Sequence, residues 1–282
     1  MAAAASGTPE NRRESAPAAT RARLDDIALA ARHARSQRGF FRALAGGSPG
    51  ARLISSEALK GVQATAVPVR PWFSIFNSVV YENCSELEAA LPTLERDYAK
   101  AGIKAWSVWV PPEDQSAPSL LEQASFVCQA QPLRMASELD DLDLEPRSQL
   151  DPVAEPTWDM VARCNDRAYG VLEQWTMAAV VESMDDPASH LRVAQANGEV
   201  IAALLAREDD GDCYLWFVAT VPEAQRRGVA AELVRGALRA ARTRGCRTTS
   251  LESTPSGEAL YAQLGYRALG RFQRWESSTP SP

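Results

Sequence analysis

The sequence predicts an α/β (α+β) fold arranged as two similar domains in tandem, each a sheet flanked by helices. Three observations carry that prediction. At 282 residues the chain is long for one compact domain and comfortable for two. Its 45% hydrophobic and 23% charged residues are ordinary for a globular protein with a buried core. The same order of elements also occurs twice: strand, long helix, glycine, strand, short helix, aromatic, strand. Gly102 and Gly245 lie 143 positions apart and Phe126 and Tyr266 lie 140 apart, as expected if three residues were lost between them.

Residues 1–21, rich in Ala, Ser, Arg and Pro, read as a disordered tail. They lack the continuous apolar stretch of a secretory signal, and Glu10 and Glu14 weigh against an organellar address. The first domain is expected over residues 22–145. It begins with a helix at 24–44, stopped by Gly46, Gly47 and Pro49. Residues 72–80 read as a strand. Residues 85–101 read as a helix, because Leu87, Ala90, Leu91, Leu94 and Tyr98 recur at helical spacing. Gly102 ends it; a strand at 105–110, a short helix at 120–124 and a strand at 126–130 follow.

The acidic stretch 138–152, punctuated by Pro146 and Pro152, reads as a linker into a second domain over residues 146–278. Residues 158–169 and 176–184 read as helices, and 191–195, 200–207 and 213–219 as strands. Asn197-Gly198 supplies a tight hairpin turn between the first two of these strands. A long helix at 228–243 carries Val229, Leu233, Ala237 and Ala240 on one face and stops at Gly245. A strand at 247–252, a short helix at 257–264 and a final strand or hairpin ending near Trp275 complete the pattern.

Composition excludes several function classes. A net charge of -6 argues against general affinity for nucleic acid, because phosphate neutralisation needs a basic surface. No apolar run approaches the roughly 20 residues that span a bilayer, so no membrane role is expected. Five cysteines are odd in number and scattered, and only two histidines accompany them; no metal-binding spacing results. These cysteines read as reduced residues of a cytoplasmic protein.

The chemistry concentrates in Gln225-Arg226-Arg227-Gly228-Val229-Ala230. An aromatic-rich strand turns at Val221-Pro222 and enters the long helix through this segment. The first turn of a helix has backbone N–H groups without internal partners and the positive end of the macrodipole, and an anionic phosphate satisfies both. Gly228 lets the backbone approach closely, Ala230 and Ala231 keep the helix start uncluttered, and Arg226 and Arg227 add positive potential.

This string resembles the signature of the GNAT superfamily of acetyl-CoA-dependent N-acetyltransferases: Gln or Arg, two variable residues, Gly, one variable residue, then Gly or Ala. The segment 259–266, with Tyr261 and Gly265-Tyr266, resembles the second family motif, in the right order and about 35 residues downstream. Ala230 stands for the more common Gly and Tyr266 for the more common Phe. The resemblance implies tandem GNAT-like domains, each a mixed, mostly antiparallel sheet flanked by helices, with one splayed strand pair that admits the pantetheine arm. Backbone groups of Val218, Ala219 and Thr220 would pair with that arm. The segment from Gln225 through Arg226, Arg227, Gly228, Val229 and Ala230 to Ala231 would hold the pyrophosphate.

Acetyl transfer from acetyl-CoA to an amine needs a neutral nucleophile, a polarised thioester carbonyl and a protonated leaving group. Tyr261 matches the family position whose tyrosine commonly protonates the sulfur. Glu252, near the end of a strand, is the candidate base, acting directly or through a water. Tyr169, Trp175, Tyr214 and Trp216 form a candidate wall for a small-molecule or peptide amine. A longer acyl group is a further possibility for the thioester pocket, and a non-catalytic acyl-CoA-binding sensor is the alternative function. In the first half the counterpart of the phosphate loop is Glu82-Asn83-Cys84-Ser85-Glu86-Leu87, with no glycine and two acids. Trp109 stands for Glu252 and Leu121 for Tyr261, so that domain is expected to be degenerate and without a cofactor loop.

Overall fold

In the computed structural model, which describes residues 23–170 and 177–277, two mixed sheets form. The tail at 1–21, Trp175 and the start of the expected helix at 176 lie outside the described residues. The first half supplies β1 (Arg52–Ile54), β2 (Val62–Ala66), β3 (Ser78–Tyr81), β4 (Ser107–Val110), β5 (Phe126–Ala130) and β6 (Leu133–Glu138). Its helices are α1 (Asp26–Leu44), α2 (Cys84–Lys100) and α3 (Ala117–Gln123). The second half supplies β7 (Asp151–Pro152), β8 (Ser189–Ala196), β9 (Glu199–Asp209), β10 (Asp212–Thr220), β11 (Thr248–Ser253), β12 (Arg267–Arg271) and β13 (Gln273–Ser277). Its helices are α4 (Trp158–Tyr169), α5 (Ala178–Val181), α6 (Val229–Thr243) and α7 (Glu258–Leu264).

The sheets run β1-β2-β3-β4-β13-β5 and β12-β6-β11-β10-β9-β8-β7. In each, one parallel pair, β3 with β4 or β10 with β11, sits among antiparallel neighbours. The expected repeat is therefore present in the topology. The sheets do not divide where the sequence was expected to divide, at 145/146. β6 pairs with β11 and β12 in the second sheet, and β13 pairs with β4 and β5 in the first. Each half leaves a gap with two exposed edges, and an unpaired edge is a row of unsatisfied N–H and C=O groups. The exchanged strands fill both gaps, which is why the expected final hairpin is instead two strands in different sheets.

Three other expectations need correction. Only Ser78–Tyr81 of the stretch 72–80 is strand. Upstream, Asn77 organises a loop: its Nδ2 donates to the Arg70 and Phe73 carbonyls and its Oδ1 accepts from the Val67 amide. The stretch 138–152 is no free linker, because Leu139, Leu142 and Leu144 are buried with the second sheet and α6. The helix expected at 176–184 is described only as Ala178–Val181.

The hairpin at Asn197-Gly198 forms as expected, with φ of 53° and 80°, the left-handed pair a tight turn between twisted strands requires. α2 buries Leu87, Ala90, Leu91, Leu94 and Tyr98, the expected stripe. One face of the second sheet packs on α6 and α7; the other packs on α1, α4 and α5.

α1 joins the halves. Asp25 caps it by accepting the Ala28 amide, and its buried stripe runs Leu29, His33, Ser36, Gln37, Phe40, Phe41 and Leu44. Phe41 packs toward Trp109 of the first sheet and Phe40 against Trp216 of the second, with centroids 6.2 and 4.1 Å apart. Burying each such ring contributes about 1.5–3 kcal/mol. This is a core shared by both halves.

Candidate active site

The site starts where β10 leaves β11. Their parallel register covers Asp212 with Thr248, Cys213 with Thr249 and Tyr214 with Ser250, and stops there, although both strands continue. β10 is bulged against β9 between Trp216 and Ala219, and Phe217 at the bulge has φ of 53°. The two strands therefore splay. At the far end of β10 the Thr220 Oγ1 is buried without a hydrogen-bond partner. A buried polar atom left unsatisfied costs about 1–3 kcal/mol, so this one suits a ligand that reaches between the strands.

The chain then turns: the Val221 amide bonds the Ile201 carbonyl at 3.0 Å, and Gln225 Nε2 donates back to the Thr220 carbonyl at 3.0 Å. Arg226 and Gly228 both take the left-handed region, with φ of 62° and 79°. Gly228 is the N-cap of α6 and supplies no side-chain cap, and a Cβ there would meet nothing within 4 Å. Among the described residues the amides of Arg226 through Ala231 have no acceptor; the Glu232 amide is the first to bond, to the Gly228 carbonyl. A row of unsatisfied N–H groups, an uncapped helix start and two exposed arginines make a phosphate-sized cradle. The residues fit the pyrophosphate that the sequence suggested.

Tyr261 sits on α7 and is buried, its ring edge-on to Tyr266 at 5.5 Å. Burial, and secondly the Tyr169 phenol, push its pKa above the ordinary tyrosine value. It holds its proton at neutral pH and is available as a donor.

Glu252 lies on β11 on the other face, with its side chain 3% exposed. Its Oε1 accepts from Gln37 Nε2 at 2.6 Å and its Oε2 from the Tyr214 hydroxyl at 2.5 Å. His33 Nε2 comes within 3.0 Å of Oε1, although its N–H is not aligned for a hydrogen bond. Burial alone would raise the pKa of Glu252, but the charge of His33 and the surrounding donors hold it below the ordinary carboxylate value. A second buried carboxylate, Asp212, accepts from Ser36, Thr248 and Ser250 at 2.6–2.8 Å. Both acids tie α1 to the splayed pair.

A cavity of about 320 Å³ opens beside the splay, walled by Leu215 to Val218, by α4 and by the loop carrying Phe73 and Phe76. Of the expected acceptor wall, Tyr169 and Trp216 line it. Tyr214 does not: it is fully buried against Glu252. His33, Gln37, Phe73, Phe76 and Asp166 were not expected here. A readable signal did exist for the first two, since a histidine and a glutamine interrupt the apolar stripe of α1.

Comparison with known proteins assigns a family to most of the second half. Residues 154–266 match the Acetyltransferase (GNAT) family, so this half is a GNAT domain. The whole chain has the tandem form of the fold. It resembles a GCN5-related N-acetyltransferase from Kribbella flavida with a TM-score of 0.66 and 16% identity, covering 88% of this chain and 96% of that one. A GCN5-related N-acetyltransferase from Sphaerobacter thermophilus gives 0.54 and 19%, covering 77% and 76%. A tandem GNAT protein from the clavulanic acid biosynthesis pathway gives 0.53 and 11%, covering 78% and 79%. At these identities the likeness is one of fold. No curated protein sequence matches the chain.

Proposed function

We propose that the second half transfers an acetyl group from acetyl-CoA to the primary amine of a small molecule or peptide, by direct attack. The observation that carries this is the row of unpaired amides from Arg226 to Ala231, next to the splay of β10 from β11. Gln225, Arg226, Arg227, Gly228, Val229, Ala230 and Ala231 hold the pyrophosphate, and Val218, Ala219 and Thr220 pair with the pantetheine arm as an added strand would. The amine nitrogen bonds to the thioester carbonyl carbon, the carbon–sulfur bond breaks, and the Tyr261 hydroxyl gives its proton to the sulfur. The nitrogen loses a proton in the same sequence. Glu252 enters only as an indirect acceptor, because both of its oxygens are engaged and the amine cannot touch it. The proton passes to it through a water. The five free cysteines suit a reducing compartment such as the cytoplasm.

The test is to incubate the full chain with acetyl-CoA and a panel of amines and follow free thiol release. Amine-dependent release supports the reading. Tight binding of CoA with no release for any amine would leave a sensor instead.

A further inference from the structure

The cavity beside the splay is almost wholly apolar, yet one wall carries a carboxylate with a missing partner. Phe73 and Phe76 come from the first half, Tyr169 from α4, and Trp216 and Phe217 from the bulge of β10. Asp166, on the same wall of α4, accepts one long hydrogen bond, from the Met177 amide to Oδ1 at 3.3 Å. Its Oδ2 is buried and has no hydrogen-bond partner. A carboxylate in apolar surroundings needs a cation or donors. Burial raises the pKa of Asp166, which the Met177 amide, Arg70 and Arg163 offset only in part.

Resting on the acyltransferase reading, we infer that this cavity is the acceptor site and takes an apolar primary amine, its ammonium on Asp166 and its hydrocarbon body among the aromatic rings. Size and chemistry agree. About 320 Å³ is at the small end of ligand pockets and admits a ring-sized group. Five aromatic walls favour a flat or branched hydrocarbon, and their faces also attract the ammonium. A sugar or polyhydroxylated amine would leave its hydroxyls unpaired against such walls, which binding penalises. The position fits the reaction as well. Leu215 to Val218 lie on β10, and Val218 is one of the residues expected to pair with the pantetheine, so an amine in the cavity borders the thioester. A long acyl chain is the other occupant an apolar cavity could take. It gives Asp166 no partner, whereas an ammonium does.

The experiment is calorimetric binding of 2-phenylethylamine to the full chain saturated with CoA, beside glucosamine and octanoyl-CoA, for the wild type and Asp166→Asn. The asparagine keeps an oxygen for the Met177 amide, and thermal melts check that the variant folds. The expected result is that phenylethylamine binds at least tenfold more tightly than glucosamine. Asp166→Asn should then weaken phenylethylamine at least tenfold and leave CoA affinity unchanged. Equal affinity of wild type and variant for phenylethylamine, or no binding to either, overturns the assignment. So does octanoyl-CoA that binds more tightly than acetyl-CoA and excludes phenylethylamine, which would give the cavity to an acyl chain. Binding needs no turnover, so the two readings fail separately: Asp166-dependent binding without thiol release contradicts the acyltransferase and keeps the amine site.

Discussion

In the first half the helix that connects the two parallel strands is capped by Asn83, whose Oδ1 accepts the Glu86 amide at 3.0 Å. In the second half the corresponding helix begins at Gly228, which caps nothing. The two helix starts occupy equivalent places in equivalent sheets and have opposite chemistry. α2 meets its own needs: a side-chain cap, with the acid Glu86 in its first turn, complements the positive end of its dipole. α6 leaves that potential for an anion. The clefts differ in the same way. Beyond the β3–β4 pairing the Tyr81 hydroxyl donates to Asp114, in the loop after β4, at 2.8 Å and ties β3 to that loop. Beyond the β10–β11 pairing there is a bulge, an unpartnered Thr220 hydroxyl and a cavity. One fold thus gives a closed copy and an open one, and the difference rests on a few residues at the strand ends and helix caps.

The sharpest way to break the comparison is to give the open copy the residues of the closed one. Tyr261 corresponds to Leu121, which is fully buried and carries no proton to donate. Tyr261→Phe should lower turnover by about 100-fold or more while CoA affinity is unchanged, as loss of a general acid does; thiol release at wild-type rate refutes the role. Next comes Gly228→Val. A β-branched residue at φ of 79° carries strain of roughly 1–3 kcal/mol, so CoA should bind about 5- to 150-fold more weakly by calorimetry. Open space around the site does not relieve that strain, so the melting temperature should also fall by a few degrees.

Third in size is the acid sensitivity of the second half. Glu252 has a pKa held below the ordinary carboxylate value, so its contribution to stability is present above the unfolded-state pKa of about 4.3 and disappears as pH falls through its folded value. Glu252→Gln should cost roughly 1–3 kcal/mol at neutral pH. It should also flatten the loss of stability on acidification, measured by urea unfolding across pH. An unaltered acid limb would show that Glu252 is not held this way. The counterpart Trp109 has no such dependence; its indole donates to Ser78 Oγ. The smallest effect is Asn83→Ala, which should cost about 1 kcal/mol of stability through the lost cap and leave CoA affinity untouched.

Much of this asymmetry could be read from residue types. The stripe of α2 and the turn at Asn197-Gly198 depend on local spacing, and the structure follows them. At the helix starts the register differs by two residues, since Asn83 and Gly228 lie 145 positions apart and Gly102 and Gly245 lie 143 apart. A helix can gain residues at one end without altering the stripe it buries. The strand exchange was not legible, because strand pairing across more than 100 residues leaves no periodicity in either segment. Within the strand expected at 72–80, the aromatic residues of 72–77 have strand propensity, and a single asparagine side chain overrides it. The buried ties of α1 are hidden from the sequence for a related reason. Glu252 looks like a solvent-facing strand end until His33 and Gln37, more than 200 residues earlier, are packed over it.

The strand exchange also decides how the central claim is tested, because neither half completes its sheet alone and the measurement needs the full chain. Titrate the protein with CoA by calorimetry and read the stoichiometry. One site per chain, weakened by Gly228→Val and indifferent to Asn83→Ala, is the predicted result. Two sites per chain, or one site whose affinity survives Gly228→Val, would contradict the account of one open and one closed copy.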